Sequence, residues 1–276
     1  MKRCDSKPHE LLRATGLPLA PRSASQSGLN GWYQPVVELT LTAVDNPDGS
    51  GVARIEYSVG DGAFQSYTGP FFMATEGATM IHARAIDWAG NVESPASTVG
   101  VSIDTGAPTI TIGAPDAADY LHSDVLQLTF TASDAMSGIA AGSPVATLDG
   151  TAVANGQSVP LLTLSLGTHT LSVSAIDQAG NPGARIVTFR VKATIDSLMA
   201  AVNAFTSQGT IDPRVAHSLQ AKLSDAQQAM DKGNVSAVRG SLSDFANAVS
   251  AKSGSGIASD AAAVLLADNQ YVLAAL

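Results

Sequence analysis

The stretch AIDWAGN (residues 85–91) returns ninety residues on as AIDQAGN (175–181), with Trp88 exchanged for Gln178. Its surroundings return with it. VVELTLTAVD (36–45) corresponds to VLQLTFTASD (125–134), Ser50-Gly51 to Ser137-Gly138, and the end of MIHARAID (80–87) to that of LSVSAID (171–177). A period of this length exceeds the roughly 20–50 residues of a solenoid turn and fits tandem domains. Within each copy the apolar residues alternate with polar ones. Val37, Leu39, Leu41 and Ala43 answer to Leu126, Leu128, Phe130 and Ala132, and Val99, Val101 and Ile103 to Val187, Phe189 and Val191. Period two is the mark of half-buried antiparallel strands, and the Gly, Pro, Asn and Asp between them predict one β-sandwich per copy. IDTGAPTI (103–110) joins the copies as a short, stiff linker, since Pro108 cannot donate to a central ladder.

After Lys192 the period becomes three and four. Ile195, Leu198, Val202 and Phe205 form one helical face, and three more follow: Val215, Leu219, Leu223, Met230; Val235, Val238, Leu242, Phe245, Val249; and Ala261, Leu265, Val272. Start signals precede them at Asp212-Pro213, Asn234 and Ser259-Asp260, with Gly209, Gly233 and the GSG at 254–256 as stops. The fold class expected is therefore multidomain: two antiparallel all-β sandwiches and a C-terminal four-helix α module. The boundaries read as 28–107, 108–192 and 194–276, after a polar segment 1–27 taken as a disordered leader or the edge of a longer protein.

Composition narrows the function. A net charge of −9 argues against nucleic acid, which demands a basic surface. No stretch approaches the roughly 18 apolar residues of a membrane span. Cys4 is the single cysteine, and MKRC is followed by no apolar run of a signal peptide.

The repeated phrase admits two readings. As a hairpin turn, Gly90 and Gly180 take a positive φ, Asn91 and Asn181 tolerate the neighbouring conformation, and Asp87 and Asp177 accept from turn amides. The freely exchanged Trp88/Gln178 then points at solvent. As a calcium site, Asp45, Asp48, Asp87 and Asp104 gather at one end of the first sandwich, and Asp134 and Asp177 in the second, offering oxygen ligands. DNPDGSGVARIE (45–56) is no EF-hand, because Pro47 and Gly49 stand at ligand positions and Ser50 replaces the required Gly. Turn chemistry accounts for every fixed letter, so the expectation is no metal.

Catalytic patterns are missing. The five histidines (His9, His82, His122, His169, His217) do not align between copies, and no GxSxG, HExxH or phosphate loop occurs. No enzyme is expected. Trp32 and Trp88, with Tyr33, Tyr57 and Tyr67 near them in sequence, are the candidate ligand contacts for a sugar, although Trp32 and Tyr33 also suit a plug at the sandwich end.

NGWY (30–33), EYSV (56–59), YTGPF (67–71), AIDxAGN and the IDTGAP linker resemble bacterial immunoglobulin-like repeats of extracellular proteins, the first copy being similar to the OmpL-type surface β-domain. IDSLMAAVNAFTSQGTID and HSLQAKLSDAQQAMDKGN (217–234) resemble the FIMAH module at the C-termini of such proteins. The resemblance implies an extracellular or cell-surface, non-catalytic spacer or interaction region. Its partners would be neighbouring domains of a longer chain and a surface glycan or protein. The alternative it leaves is a carbohydrate-binding accessory region of a secreted hydrolase.

Overall fold

A computed structural model describes residues 12–15, 31–45 and 49–276. The first repeat contributes β1 (Leu12–Thr15), β2 (Trp32–Tyr33), β3 (Val37–Leu41), β4 (Val52–Val59), β5 (Gln65–Ser66), β6 (Phe71–Met73), β7 (Gly77–Asp87) and β8 (Ser97–Ile103). The second contributes β9 (Thr109–Ala114), β10 (Asp119–Leu121), β11 (Val125–Gln127), β12 (Thr129–Ser133), β13 (Val145–Leu148), β14 (Thr151–Val153), β15 (Ser158–Pro160), β16 (Gly167–Ile176) and β17 (Pro182–Lys192). The duplication extends to topology. The larger sheet runs β2-β8-β7-β4-β5 in the first repeat and β10-β17-β16-β13-β14 in the second, the same order position for position. Opposite them lie β1-β3-β6 in the first repeat, and the pairs β12-β9 and β11-β15 in the second.

The sandwiches are antiparallel as expected, with a parallel pair added to each among the described residues, β2 with β8 and β10 with β17, where the short first strand of the larger sheet joins the edge of the last. One sequence expectation needs correction: Leu12–Thr15, placed in the leader by the sequence, pairs antiparallel with β3. The rest of 1–27, and Asp48 among the calcium candidates, lie outside the described residues.

Alternation does what it predicts. Val37, Leu39, Ile81, Val101 and Ile103 are sealed in the first core, and Leu128, Leu171, Val173, Phe189 and Val191 in the second. Tyr57 stacks on Phe71 at 4.3 Å, with Tyr67 edge-on to both, and Phe71 packs against the first core.

Four helices follow: α1 (Ile195–Ser207), α2 (Pro213–Asp231), α3 (Val235–Lys252) and α4 (Ser259–Ala274). Leu198, Val202, Leu219, Leu223, Leu242, Phe245, Val249 and Leu265 are all sealed within them. Met230 and Val235 are the exceptions on the predicted faces. They flank the turn between α2 and α3, past the end of the core, and are exposed. Thr194 and Ser197 form a capping box, and Asp212 and Asn234 cap α2 and α3. α4 departs from its expected start. Ala258 occupies the cap without a side-chain bond, its N–H donating to the Thr210 carbonyl at 2.8 Å, so pairing between the two inter-helix loops sets the boundary.

The chain packs as two compact units. One holds the described residues up to Ile110 with Ala132–Pro144 and Ser174–Gly183; the other holds Thr111–Thr131, Val145–Val173 and Ala184–Leu276. Two loops of the second repeat therefore belong to the unit of the first, and those loops carry the candidate site.

Candidate functional site

The repeated phrase builds the same turn twice. Asp177 Oδ1 accepts the Asn181 N–H at 2.7 Å and Oδ2 the Asn181 side-chain amide at 2.7 Å; Asp87 and Asn91 repeat both bonds at the same distances. Gly90 and Gly180 stand at φ 87° and 93°, the left-handed region where a Cβ is strained. The preceding loop is duplicated too. Asp134 Oδ1 accepts the N–H groups of Met136, Ser137 and Gly138 at 3.0, 2.9 and 2.9 Å, and Asp45 Oδ2 that of Gly51 at 2.6 Å. The two loops are then stitched together, Gln178 N–H to the Gly138 carbonyl and Trp88 N–H to that of Gly51.

The copies differ in what enters them. In the second repeat the linker residue Asp104 fits between the loops. Its Oδ2 accepts the Ser137 N–H at 3.1 Å, its Oδ1 the Gly106 N–H at 2.8 Å, and its carbonyl the Asn181 side-chain amide at 3.0 Å. Gln34 donates to the Asn181 side-chain oxygen. One carboxylate oxygen each from Asp104, Asp134 and Asp177 thereby lie within 4.8 Å of one another. Asp104 is 1% exposed and Asp177 fully buried. Among the described residues no Lys or Arg pairs with any of the three. Burial works to raise the Asp134 carboxyl, and the amides of Gly138, Met136 and Ser137 outweigh it, so it titrates below the usual range and stays ionised. The arrangement is a hard-oxygen set of concentrated negative charge, suited to a divalent cation.

The sequence grouped these residues otherwise. It set Asp104 with Asp45 and Asp87; the structure sets it with Asp134 and Asp177, because the linker runs into the loops that follow it. Asp45 and Asp87 remain braces of the first repeat's turn, where the Asn91 side chain, against the effect of burial, holds the Asp87 carboxyl below its ordinary value. Trp88 is 75% exposed, whereas Gln178 at the matching place is half-buried beside Gly138. Trp32 is half-buried on β2.

Sequence reasoning missed two pairs, the sealed His122 with Asp268 and the buried His169 with the half-exposed Asp149. Each ring has its second nitrogen on a backbone carbonyl, leaving neither nitrogen for a substrate. Nothing local signals partners so far apart in sequence. Among the described residues no helix is long and apolar enough to cross a membrane.

Residues 195–274, the helical module, match the family model of the FIMAH domain. No curated protein matches the chain. Among solved structures it is similar to the fibronectin(III)-like modules of Clostridium thermocellum CbhA, at 22% identity over 60% of this chain and 90% of that one, TM-score 0.29. It is also similar to a Ca2+-stabilized adhesin with which an Antarctic bacterium binds ice, at 18% identity over 58% of this chain and 45% of that one, TM-score 0.27. A 1.5-MDa bacterial ice-binding adhesin matches at 16% identity over 58% and 59%, TM-score 0.28. The chain thus spans less than two thirds of either adhesin structure.

Proposed function

We propose that this chain is a non-catalytic spacer and interaction region of a bacterial secreted or cell-surface protein, with 28–107, 108–192 and 194–276 as its modules. The observation that supports it is the fate of the linker. A flexible connector would leave Asp104 in water, whereas here its side chain and carbonyl are built into two loops of the next repeat. Such a joint suits a chain that holds its neighbours at a set distance. Amide exchange tests it: the N–H groups of Gly106 and Ser137 should be protected like those of β7, and free exchange there would sink the reading. Carbohydrate binding is the rival. A glycan array on which the chain binds, with binding abolished by Trp88→Ala, would put an accessory sugar-binding region in its place.

A specific observation favours a cation in the joint. Two nearly sealed carboxylates beside a third, with no cationic side chain paired to them among the described residues, gain most from a divalent ion. In this reading Asp104, Asp134 and Asp177 hold calcium, and the ion stiffens the linker.

A further inference from the structure

Two histidines of the second compact unit make the same pair of contacts. His122, which follows β10 and is 2% exposed, sets Nδ1 2.5 Å from Oδ1 of Asp268 on α4 and Nε2 3.0 Å from the carbonyl oxygen of Leu164. His169, on β16 and 4% exposed, sets Nδ1 2.6 Å from Oδ2 of Asp149 and Nε2 2.8 Å from the carbonyl oxygen of Ser165. The accepting carbonyls are neighbours, on the turn 161–166. Leu162 and Leu166 of that turn lie against the apolar core of the four helices. Both rings therefore grip a piece of the second repeat that the helices rest on.

A neutral imidazole carries one N–H, and a ring facing two acceptors needs two. A bare nitrogen 2.5 Å from a carboxylate oxygen would set lone pair against lone pair. The contacts of His122 thus hold one proton more than a neutral histidine beside an ionised aspartate. Among the described residues Asp268 has no other compensating partner. It is fully buried, and neither its Oδ2 nor Oδ1 of the adjacent Asn269 meets a donor among the described residues. Without the proton the pair leaves a sealed, unpaired carboxylate. Asp268 is the charged group that faces the ring. Nearby, Asp124 accepts the Leu121 N–H, and Asp119 pairs with the Lys192 ammonium while the Lys192 carbonyl accepts the His122 N–H. The His169 pair differs in one respect: Asp149 is 41% exposed, so water can replace its contact.

We propose that His122, Asp268 and the Leu164 carbonyl form a proton-operated latch that fastens α4 to the second β-repeat, closing on uptake of one proton and opening as the medium turns alkaline. Burial works against protonation of the ring. The Asp268 carboxylate, with the Leu164 and Leu161 carbonyls, outweighs it, and His122 keeps its proton above the ordinary histidine value. The sign follows. The latch is fully effective below about pH 6.5, where a released histidine would also be charged, and it weakens as pH rises through the higher value of the closed state. Between those limits the ratio of closed to open falls about tenfold per pH unit, as one proton requires.

The full chain, labelled with 15N, supplies the test. Long-range imidazole spectra at about pH 6.5 should show both His122 nitrogens protonated, and that signature should persist to higher pH than in a histidine peptide. Amide exchange in α4, corrected for its intrinsic base catalysis, should lose protection about tenfold per pH unit across the same window. His122→Gln should abolish that slope. A neutral ring with a free nitrogen at low pH, protection in α4 without a slope, or a slope surviving in His122→Gln would each overturn the latch. Should His122→Gln fail to fold, the wild-type spectra and exchange decide by themselves.

Discussion

Asp104→Asn separates a hydrogen-bonded brace from a cation site. The substitution keeps the shape and one acceptor, and deprives either the Gly106 or the Ser137 N–H of its partner, a loss of about 1–3 kcal/mol. Against this stands repulsion. At the 4.8 Å limit between the three oxygens, each pair of charges repels by about 3 kcal/mol at an effective dielectric constant near 20, and by about 1 kcal/mol in water. Asp104 takes part in two such pairs. Burial of Asp104 and Asp177 places the true value toward the larger figure, so relief exceeds the lost bond. In EDTA, then, Asp104→Asn should melt higher than wild type. Calcium should act only on wild type. With a Kd of about 0.1–1 mM, usual for extracellular modules, about 10 mM calcium stabilises by about 1.4–2.7 kcal/mol. At about 2–4 °C per kcal/mol this is a rise of about 3–11 °C, absent in Asp104→Asn. Differential scanning calorimetry in EDTA, calcium chloride and magnesium chloride measures all of it, the magnesium arm controlling for screening. A wild-type Tm unmoved by calcium, together with a lower Tm for Asp104→Asn in EDTA, would refute both the repulsion and the cation.

Gly90→Val and Gly180→Val should each destabilise by about 1–3 kcal/mol in urea melts, since a β-branched residue is strained at their positive φ although space is open around Gly90. Trp88→Gln, at an exposed side chain, should leave the urea midpoint within error of wild type. Phe245→Ala empties a sealed place in the helical core and should lower stability by about 3–5 kcal/mol by circular dichroism of the helices. Thr194→Ala breaks the capping box of α1 and should lower it by about 1 kcal/mol in the same assay.

The elements of this protein were legible because they are local. Alternation at Val37, Leu39 and Leu41 demands a strand with one face inward, and the three-and-four spacing of Ile195, Leu198, Val202 and Phe205 demands a helix, whatever surrounds them. The turn was legible for the same reason, since Asp, Gly and Asn within five residues satisfy one another. What identical local chemistry could not tell is the use of each copy. Asp87 and Asp177 make the same bonds to their asparagines, yet only Asp177 is sealed beneath a linker that brings a third carboxylate. Which strand end lies beside which loop is set by sheet order and by packing between segments distant in the chain. The same holds for His122 and Asp268, 146 residues apart, on a β-repeat and a helix whose periods say nothing of each other. Periodicity records which face of an element avoids water; only the assembled fold decides which polar groups are left facing one another once that face is covered.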